Sequence, residues 1–331
     1  MIFKRFVTNI IVEAVIENKD TAKANLEVFS ETLQDLAKED RDIIVVTSDS
    51  RGSGKLVPFG QKFPAQHIEV GIAEQNLVGV AAGLASTGKK VFAVSPACFL
   101  TARALEQIKN DVAYSDNPVK LIGISAGVSY GALGSTHHSL HDYAVLRAIN
   151  NITVVAPADN FETGEAIRKA AAAKTPFYIR FGKKTMPLLS GTNREFEFGK
   201  GRIIKEGDDI VFIATGETVY PALLASQMLE EKNIHAAVIS MHTIKPLDYD
   251  LIERIAAKGL SIVTVEEHSI FGGLGEACAS FLLQNGYRNK FKIMGIPDEY
   301  TVTGSQADIF NHYGISANGI SENALAMLSK R

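Results

Sequence analysis

Cysteine is scarce in this sequence. The 331 residues include only two cysteines, Cys98 and Cys278, which lie far apart and belong to no CxxC pair. Disulfide frameworks and zinc sites need several closely placed cysteines, so we expect neither here. This usage favours a reducing cytoplasm as the compartment.

Long apolar runs are absent as well. The apolar stretch at residues 10–16 is interrupted by Glu13, and no small-residue cleavage site follows it. We therefore interpret residues 1–22 as an amphipathic lead-in helix rather than a signal peptide. No run approaches the roughly 18 apolar residues that a membrane span requires, so we expect a soluble protein with no membrane partner.

An excess of basic charge is missing too. The formal net charge is -3, and no cluster of Lys and Arg is interleaved with aromatic residues. Proteins that bind nucleic acid neutralise phosphates with such clusters, so we expect no nucleic-acid partner.

What the sequence does contain is an alternation of short β-branched runs with longer segments of helical period. This alternation predicts parallel sheets covered by helices. Asp159 is a candidate N-cap for one of these helices. The predicted strands cover residues 43–47, 91–95, 120–125, 153–156, 177–181, 210–214, 236–241, 261–266 and 291–296, and the predicted helices cover residues 74–86, 101–114, 140–149, 161–173, 218–231, 247–257 and 275–284.

The alternation breaks once, where Pro187, Gly191, Asn193 and Gly199 stand among polar residues. Such a break is typical of a linker. We therefore predict two three-layer α/β domains with mainly parallel sheets, at residues 23–186 and 201–331, joined by a linker at residues 187–200.

Glu74 is the first residue whose position suggests chemistry. It follows a predicted strand-to-helix turn and stands among apolar residues. A carboxylate in such surroundings is costly to ionise and could act as a hydrogen-bond donor or proton shuttle. Alternatively, it could simply interact with the helix dipole.

A second candidate region is the loop with Gly127, Gly131 and Gly134, which is pliable because glycine tolerates many backbone conformations. It leads to His137, His138, His141 and Asp142. Two of these histidines are spaced by four residues, so a metal site is one alternative, although no HExxH pattern accompanies them.

Several motifs in order resemble the family of transketolases and deoxyxylulose-phosphate synthases. The resemblance covers roughly residues 25–325, and it is specific because many ordered blocks match rather than one. The blocks are Gly-Ile-Ala-Glu-Gln-Asn at 71–76, Phe-Leu-Thr-Ala-Arg-Ala at 99–104, Gly-Ser-Thr-His-His at 134–138, Pro-Ala-Asp at 157–159, Thr-Ile-Lys-Pro-Leu-Asp at 243–248, Gly-Gly-Leu-Gly at 272–275 and Gly-Ile-Pro-Asp at 295–298.

The resemblance implies thiamine diphosphate as the cofactor. Glu74 would contact the pyrimidine ring nitrogen and promote the imino tautomer, and Phe99 would stack on the aminopyrimidine. Arg103 and Asp49 would lie near the cofactor, and a solvated turn is the alternative for Asp49. The first half would then be a pyrimidine-binding domain and the second a transketolase C-terminal domain.

The resemblance also implies a substrate site. His137 matches the histidine that binds the ketose hydroxyl and the developing oxyanion, and Arg180 matches an arginine that holds the substrate phosphate. Two positions depart from the family pattern. Ser125 stands where a phosphate-contacting histidine is usual, and Leu133 stands where an aspartate reads a sugar hydroxyl, so we hypothesise a sugar phosphate other than the standard xylulose and ribose phosphates. Alternatively, a partner subunit or a shifted loop supplies the missing contacts.

The family holds the diphosphate through Mg²⁺ at a Gly-Asp-Gly motif, and this sequence has none. The resemblance therefore implies a split transketolase whose N-terminal subunit carries the diphosphate-binding domain and the Mg²⁺ ligands. We expect an α2β2 assembly, with self-association through the pyrimidine and C-terminal domains, that moves a two-carbon ketol unit from a ketose to an aldose. The alternatives are a deoxyxylulose-phosphate-synthase-like or 2-oxoacid dehydrogenase β-like subunit, or a non-catalytic regulatory paralogue.

Overall fold

The computed structural model describes residues 16–17, 22–189, 191 and 195–329. The lead-in helix predicted at residues 1–22 lies outside these residues, except for residue 22 and for Ile16–Glu17, which form a strand instead of a helix. No helix in the described ranges is long and apolar enough to cross a membrane.

Short strands alternate with helices along the chain, as the sequence pattern predicts. The strands in these ranges are β1 Ile16–Glu17, β2 Lys23–Ala24, β3 Ile43–Thr47, β4 His67–Glu69, β5 Lys90–Pro96, β6 Lys120–Ile124, β7 Thr153–Val155, β8 Phe177–Arg180, β9 Thr185–Met186, β10 Leu188–Leu189, β11 Arg202–Lys205, β12 Ile210–Ala214, β13 Ala236–Ser240, β14 Thr243–Lys245, β15 Ser261–Ser269 and β16 Phe291–Ile296.

The helices cover both faces of the sheets. They are α1 Asn25–Glu39, α2 Val57–Lys62, α3 Glu74–Ser86, α4 Ala97–Arg103, α5 Leu105–Gln107, α6 Asp142–Arg147, α7 Asn160–Ala172, α8 Val219–Glu230, α9 Tyr249–Ala257, α10 Leu274–Gln284, α11 Gln306–His312 and α12 Ala317–Ser329, with a π-helical turn at Ile108–Tyr114 and further 3-10 turns. Asp159 is confirmed as the N-cap of α7, because its carboxylate accepts a hydrogen bond from the Glu162 N–H at 2.8 Å.

The first sheet has seven strands in the order β14-β7-β8-β6-β5-β3-β4. All pairs are parallel except β14 with β7. Strands such as β3 and β6 are buried along their whole length, because helices cover both faces of the sheet. This arrangement explains why these strands are continuous apolar runs rather than alternating ones.

The second sheet has five strands in the order β11-β13-β12-β15-β16. Only β11 runs antiparallel to its neighbour. The predicted fold class, two α/β units with mainly parallel sheets, is therefore confirmed.

The two halves of the chain share one sheet edge. Strand β14 comes after three strands of the second sheet in the sequence, yet it pairs with β7 through Thr243 and Val155, and the Ala156 N–H donates to the His242 carbonyl at 2.8 Å. Within the predicted linker, β10 pairs with β1. The division into domains at residues 187–200 stays a prediction.

Several loops meet at the carboxyl ends of β3, β5 and β6. Asp49, Phe99 and Ser125 follow these strands, and α3, which begins at Glu74, follows the neighbouring strand β4. In open parallel sheets, ligands bind at this edge, beside the point where the strand order reverses. The fold thus brings most of the residues selected from the sequence to the carboxyl ends of the strands of the first sheet.

Candidate active site

The turn before α3 is built around the carboxylate of Glu69. It accepts hydrogen bonds from the backbone N–H groups of Asp49 at 2.7 Å and Gly71 at 2.9 Å, and from the Thr47 hydroxyl at 2.7 Å. Gly71 has a φ of +74°, which favours glycine. These contacts tie the ends of β3 and β4 together and fix where α3 begins.

Glu74 is the first residue of α3, and only 4 % of it is exposed. Arg103 Nη1 lies 2.9 Å from Glu74 Oε1 and 3.0 Å from Oε2, so one guanidinium contacts both carboxylate oxygens. The side chain of Arg103 is 48 % exposed. The buried carboxylate is therefore paired with a cation that reaches the solvent.

Arg103 also covers one face of Phe99, with its guanidinium carbon 4.2 Å from the ring centroid. The ring of His137 meets Phe99 edge-on at a centroid distance of 5.3 Å and meets Tyr130 in the same way at 5.3 Å. Glu74, Arg103, Phe99, His137 and Tyr130 therefore form one continuous row of side chains. The row contains three of the predicted cofactor residues and one of the predicted substrate residues.

Two residues at this row are absent from the sequence prediction. Lys183 lies over Tyr130, with its ammonium nitrogen 3.8 Å from the ring centroid. Partial burial lowers the pKa of Lys183 and raises the pKa of the Tyr130 hydroxyl. The sequence signal for Lys183 is a cation in the loop that follows β8, and the signal for Tyr130 is an aromatic residue inside the glycine-rich loop.

Arg180 is the residue predicted to hold the substrate phosphate. Its guanidinium is buried and lies 2.8 and 3.0 Å from the carboxylate oxygens of Asp142, and it donates to the Glu267 carbonyl at 2.7 Å. It also stacks over Tyr143 at 4.1 Å. These partners hold the guanidinium inside the protein, and the role of Arg180 in binding the substrate phosphate stays a prediction.

Ser125, Leu133 and Asp49 lie at the same edge but in different environments. Ser125 is 0 % exposed, and its role in substrate binding stays a prediction. Leu133 is 53 % exposed on the loop that leads to His137. Asp49 is exposed in a turn with φ of +52°, and its role near the cofactor stays a prediction.

The alternative of a metal site at the histidines is not supported. His138 contacts the Thr301 hydroxyl and the Gly131 carbonyl, and His141 contacts the Thr101 hydroxyl at 3.2 Å. Asp142 is committed to Arg180. Within residues 22–189 and 195–329, no three His, Cys, Asp or Glu side chains converge on a position that could hold a metal ion.

Comparison with known protein families gives this geometry its context. The family described as "Transketolase, pyrimidine binding domain" matches residues 21–187, and "Transketolase, C-terminal domain" matches residues 199–320. The chain belongs to the transketolase family. Within that family it is similar to one subunit of the apulose-4-phosphate transketolase of Phocaeicola vulgatus, with 47% identity over 91% of this chain and 96% of that protein.

Other relatives point the same way. The chain is 35% identical to a subunit of the 6-deoxy-6-sulfo-D-fructose transketolase of a Clostridium species, over 82% of this chain and 87% of that protein. A solved structure described as "Split gene transketolase, inactive beta4 tetramer" is similar with a TM-score of 0.83 and 35% identity, over 94% of this chain and all of that one. These relatives support a transferase of the transketolase type.

Proposed function

We propose that this chain is the C-terminal subunit of a thiamine-diphosphate-dependent transketolase, which transfers a two-carbon ketol unit from a ketose to an aldehyde. The observation that carries the proposal is the buried Glu74 carboxylate, held by Arg103 in a row with Phe99 and His137. This row lies where ligands bind to parallel sheets. The row combines a carboxylate that can exchange a proton, a flat aromatic ring and a histidine. Ketol transfer needs side chains that can move protons in this way.

The residues fit the aminopyrimidine half of the cofactor. Glu74 offers carboxylate oxygens to a ring nitrogen, and Phe99 offers a partly exposed aromatic ring. When bound, thiamine diphosphate supplies carbanion stabilisation that side chains cannot. Glu74 would hold and release a proton at a carboxylate oxygen, and Arg103 would keep that carboxylate oriented through its contacts with both oxygens.

We infer that a partner subunit holds the diphosphate and Mg²⁺. Hard oxygen ligands suit Mg²⁺, and in this family they come from the Gly-Asp-Gly motif, which this sequence does not contain. Support also comes from the names of the relatives, which describe an enzyme subunit and a split-gene enzyme. We expect the subunit that binds the diphosphate to be a separate chain in an α2β2 assembly.

We further propose an anionic ketose other than xylulose 5-phosphate as the donor. Leu133 is exposed at the loop and cannot accept a hydrogen bond from a sugar hydroxyl, and a buried hydroxyl left unpaired costs about 1 to 3 kcal/mol. Lys183, whose ammonium group lies over Tyr130, would meet the anionic group of the donor. Two relatives are named for apulose 4-phosphate and for 6-deoxy-6-sulfo-D-fructose, which both carry an anionic group.

Reconstitution tests these proposals. The chain is purified alone and together with a candidate N-terminal subunit that carries a Gly-Asp-Gly motif, and transfer is measured with apulose 4-phosphate, 6-deoxy-6-sulfofructose and xylulose 5-phosphate. We expect activity only from the pair. Comparable transfer by the chain alone would contradict the split active site. A specificity constant for xylulose 5-phosphate of about 10⁴ M⁻¹s⁻¹ or more would contradict the unusual donor.

A further inference from the structure

The loop of residues 127–138, which carries His137, contains three glycines in left-handed backbone conformations. Gly127, Gly131 and Gly134 all have positive φ angles, of +59°, +51° and +69°. The turns inside the loop are short, such as the hydrogen bond from the His137 N–H to the Gly134 carbonyl at 2.9 Å. Because glycine populates many backbone conformations, such a loop needs outside contacts to hold one of them.

Thr301, in the second half of the chain, provides such contacts. Its backbone N–H donates to Ser135 Oγ at 2.9 Å, its hydroxyl lies 3.0 Å from the same oxygen, and the hydroxyl lies 2.6 Å from His138 Nδ1. His138 Nε2 lies 3.0 Å from the Gly131 carbonyl. Thr301 thus contacts Ser135, which lies inside the loop's 3-10 turn at Gly131–Thr136, and His138, which follows that turn.

One set of proton positions satisfies all of these groups. A carbonyl only accepts, so His138 Nε2 carries the proton and donates to Gly131. His138 Nδ1 then accepts a hydrogen bond from the Thr301 hydroxyl. The Thr301 oxygen accepts from the Ser135 hydroxyl, and the Ser135 oxygen accepts from the Thr301 backbone N–H. Burial lowers the pKa of His138, which agrees with the neutral ring in this assignment. In this chain of hydrogen bonds, the Thr301 hydroxyl contacts both Ser135 and His138.

Two glycines of the loop also pack closely against residues from the second half of the chain. A Cβ atom on Gly131 would lie 2.5 Å from the Gly304 carbonyl oxygen, and one on Gly127 would lie 2.3 Å from the carboxyl carbon of Glu267. The Glu267 carboxylate accepts from the Val128 N–H at 2.9 Å. The second half of the chain therefore contacts the loop at its start and along its turn.

We propose that Thr301 is a positioning residue for His137. His137 forms a 2.9 Å contact with the hydroxyl of its neighbour Thr136, so its ring follows the loop. Thr301 holds that loop through its hydroxyl, and the C-terminal half thereby fixes a substrate-binding histidine without touching the substrate. This inference rests on the role proposed for His137 in ketol transfer.

The test compares three variants in the assembled enzyme. Thr301→Val removes the hydroxyl at constant size, Thr301→Ser keeps it, and Tyr300→Phe removes a hydroxyl from the adjacent residue, which is 93% exposed. We expect Thr301→Val to lower kcat/KM for the ketose about 10- to 100-fold, because small misplacements of binding groups cost that much. The exchange of the cofactor C2 proton, which depends on Glu74, should stay at the wild-type rate, and Thr301→Ser should restore turnover.

Hydrogen exchange gives a measurement that does not depend on activity. We expect faster exchange in residues 127–138 for Thr301→Val and wild-type exchange for Thr301→Ser and Tyr300→Phe. Unchanged exchange in the loop, unchanged kcat/KM, or an equal loss of C2 proton exchange in a folded Thr301→Val protein would each overturn the proposal. If the wild-type pair transfers no ketol unit, the proposed function fails, whereas loop exchange still decides whether Thr301 holds the loop.

Discussion

Replacing Glu74 by glutamine tests the site at its buried carboxylate. Glutamine has nearly the same size, so it leaves no cavity at the start of α3. The change removes a charge-assisted contact with Arg103, which would be worth about 1.5 to 3 kcal/mol if both groups were buried. Because the side chain of Arg103 is 48 % exposed and can turn to water, we expect a loss of only about 1 kcal/mol in the free energy of unfolding.

The catalytic effect should be much larger than the effect on stability. The glutamine amide can still form hydrogen bonds but cannot exchange the proton that a carboxylate exchanges. Groups in general acid-base catalysis typically contribute about 10²- to 10⁴-fold, and we expect turnover of the assembled enzyme to fall by that factor. The direct measurement is the rate of C2 proton exchange of bound thiamine diphosphate, followed by NMR after transfer to D₂O.

Glu106→Gln is the matched control. Glu106 lies in the short helix that follows Arg103 and is exposed, so the same chemical change there should alter neither exchange nor turnover. If Glu74→Gln binds the cofactor and exchanges the C2 proton at the wild-type rate, Glu74 does not take part in proton exchange. The reasoning from its burial and its pairing with Arg103 would then be refuted.

Three further predictions concern neighbouring charges. Lys183→Met should raise KM for the anionic donor at least 10-fold with little change in the rate of C2 proton exchange, because one charge-assisted contact is worth about 1.5 to 3 kcal/mol; an unchanged KM in donor-saturation assays would contradict this. Arg180→Met should lower the free energy of unfolding by about 3 to 5 kcal/mol in urea titrations, because Asp142 would be left charged, buried and without its cation. Wild-type stability together with a raised KM for the donor would instead favour a phosphate-binding role for Arg180. Burial, and next the charge of Glu217, raise the pKa of Glu267 from 4.5 to about 8. Between these two pH values the folded protein keeps a proton that the unfolded chain releases, so the free energy of unfolding falls as the pH rises. Glu217→Gln should make the fall in Tm between pH 5 and 8 smaller, and an unchanged slope would contradict the coupling.

Much of the fold could be predicted because central strands, such as those at 43–47 and 210–214, are buried along their whole length. The strands at 43–47, 210–214 and 291–296 have the predicted bounds, and the helix at 74–86 has them too. Long buried strands and helices carry their own hydrophobic pattern. Strands β4 and β14 were not predicted, because both lie at the edges of the first sheet and pair with partners distant in the sequence.

The site was predicted less evenly than the fold. Motifs identified Glu74, Phe99, Arg103 and His137, and the structure brings these four together. The role of Arg180 is harder to predict, because an arginine suits a phosphate or a buried carboxylate equally well. The choice depends on Asp142, whose carboxylate meets the guanidinium only after β8 and α6 have packed. Burial of this kind is a tertiary property that local sequence does not encode.

Arg180 and Thr301 belong to two sets of hydrogen bonds that link the loop before His137 to the second half of the chain. Arg180 joins Asp142 to the backbone of Glu267, and the side chain of Glu267 holds Val128 at the start of the loop. Thr301 holds the turn of the same loop. These residues are buried, whereas Leu133, on the same loop, and Lys183, over Tyr130, face the solvent. Substitutions that change which sugar is bound should therefore be sought at the exposed positions, because changes at the buried ones move the histidine itself.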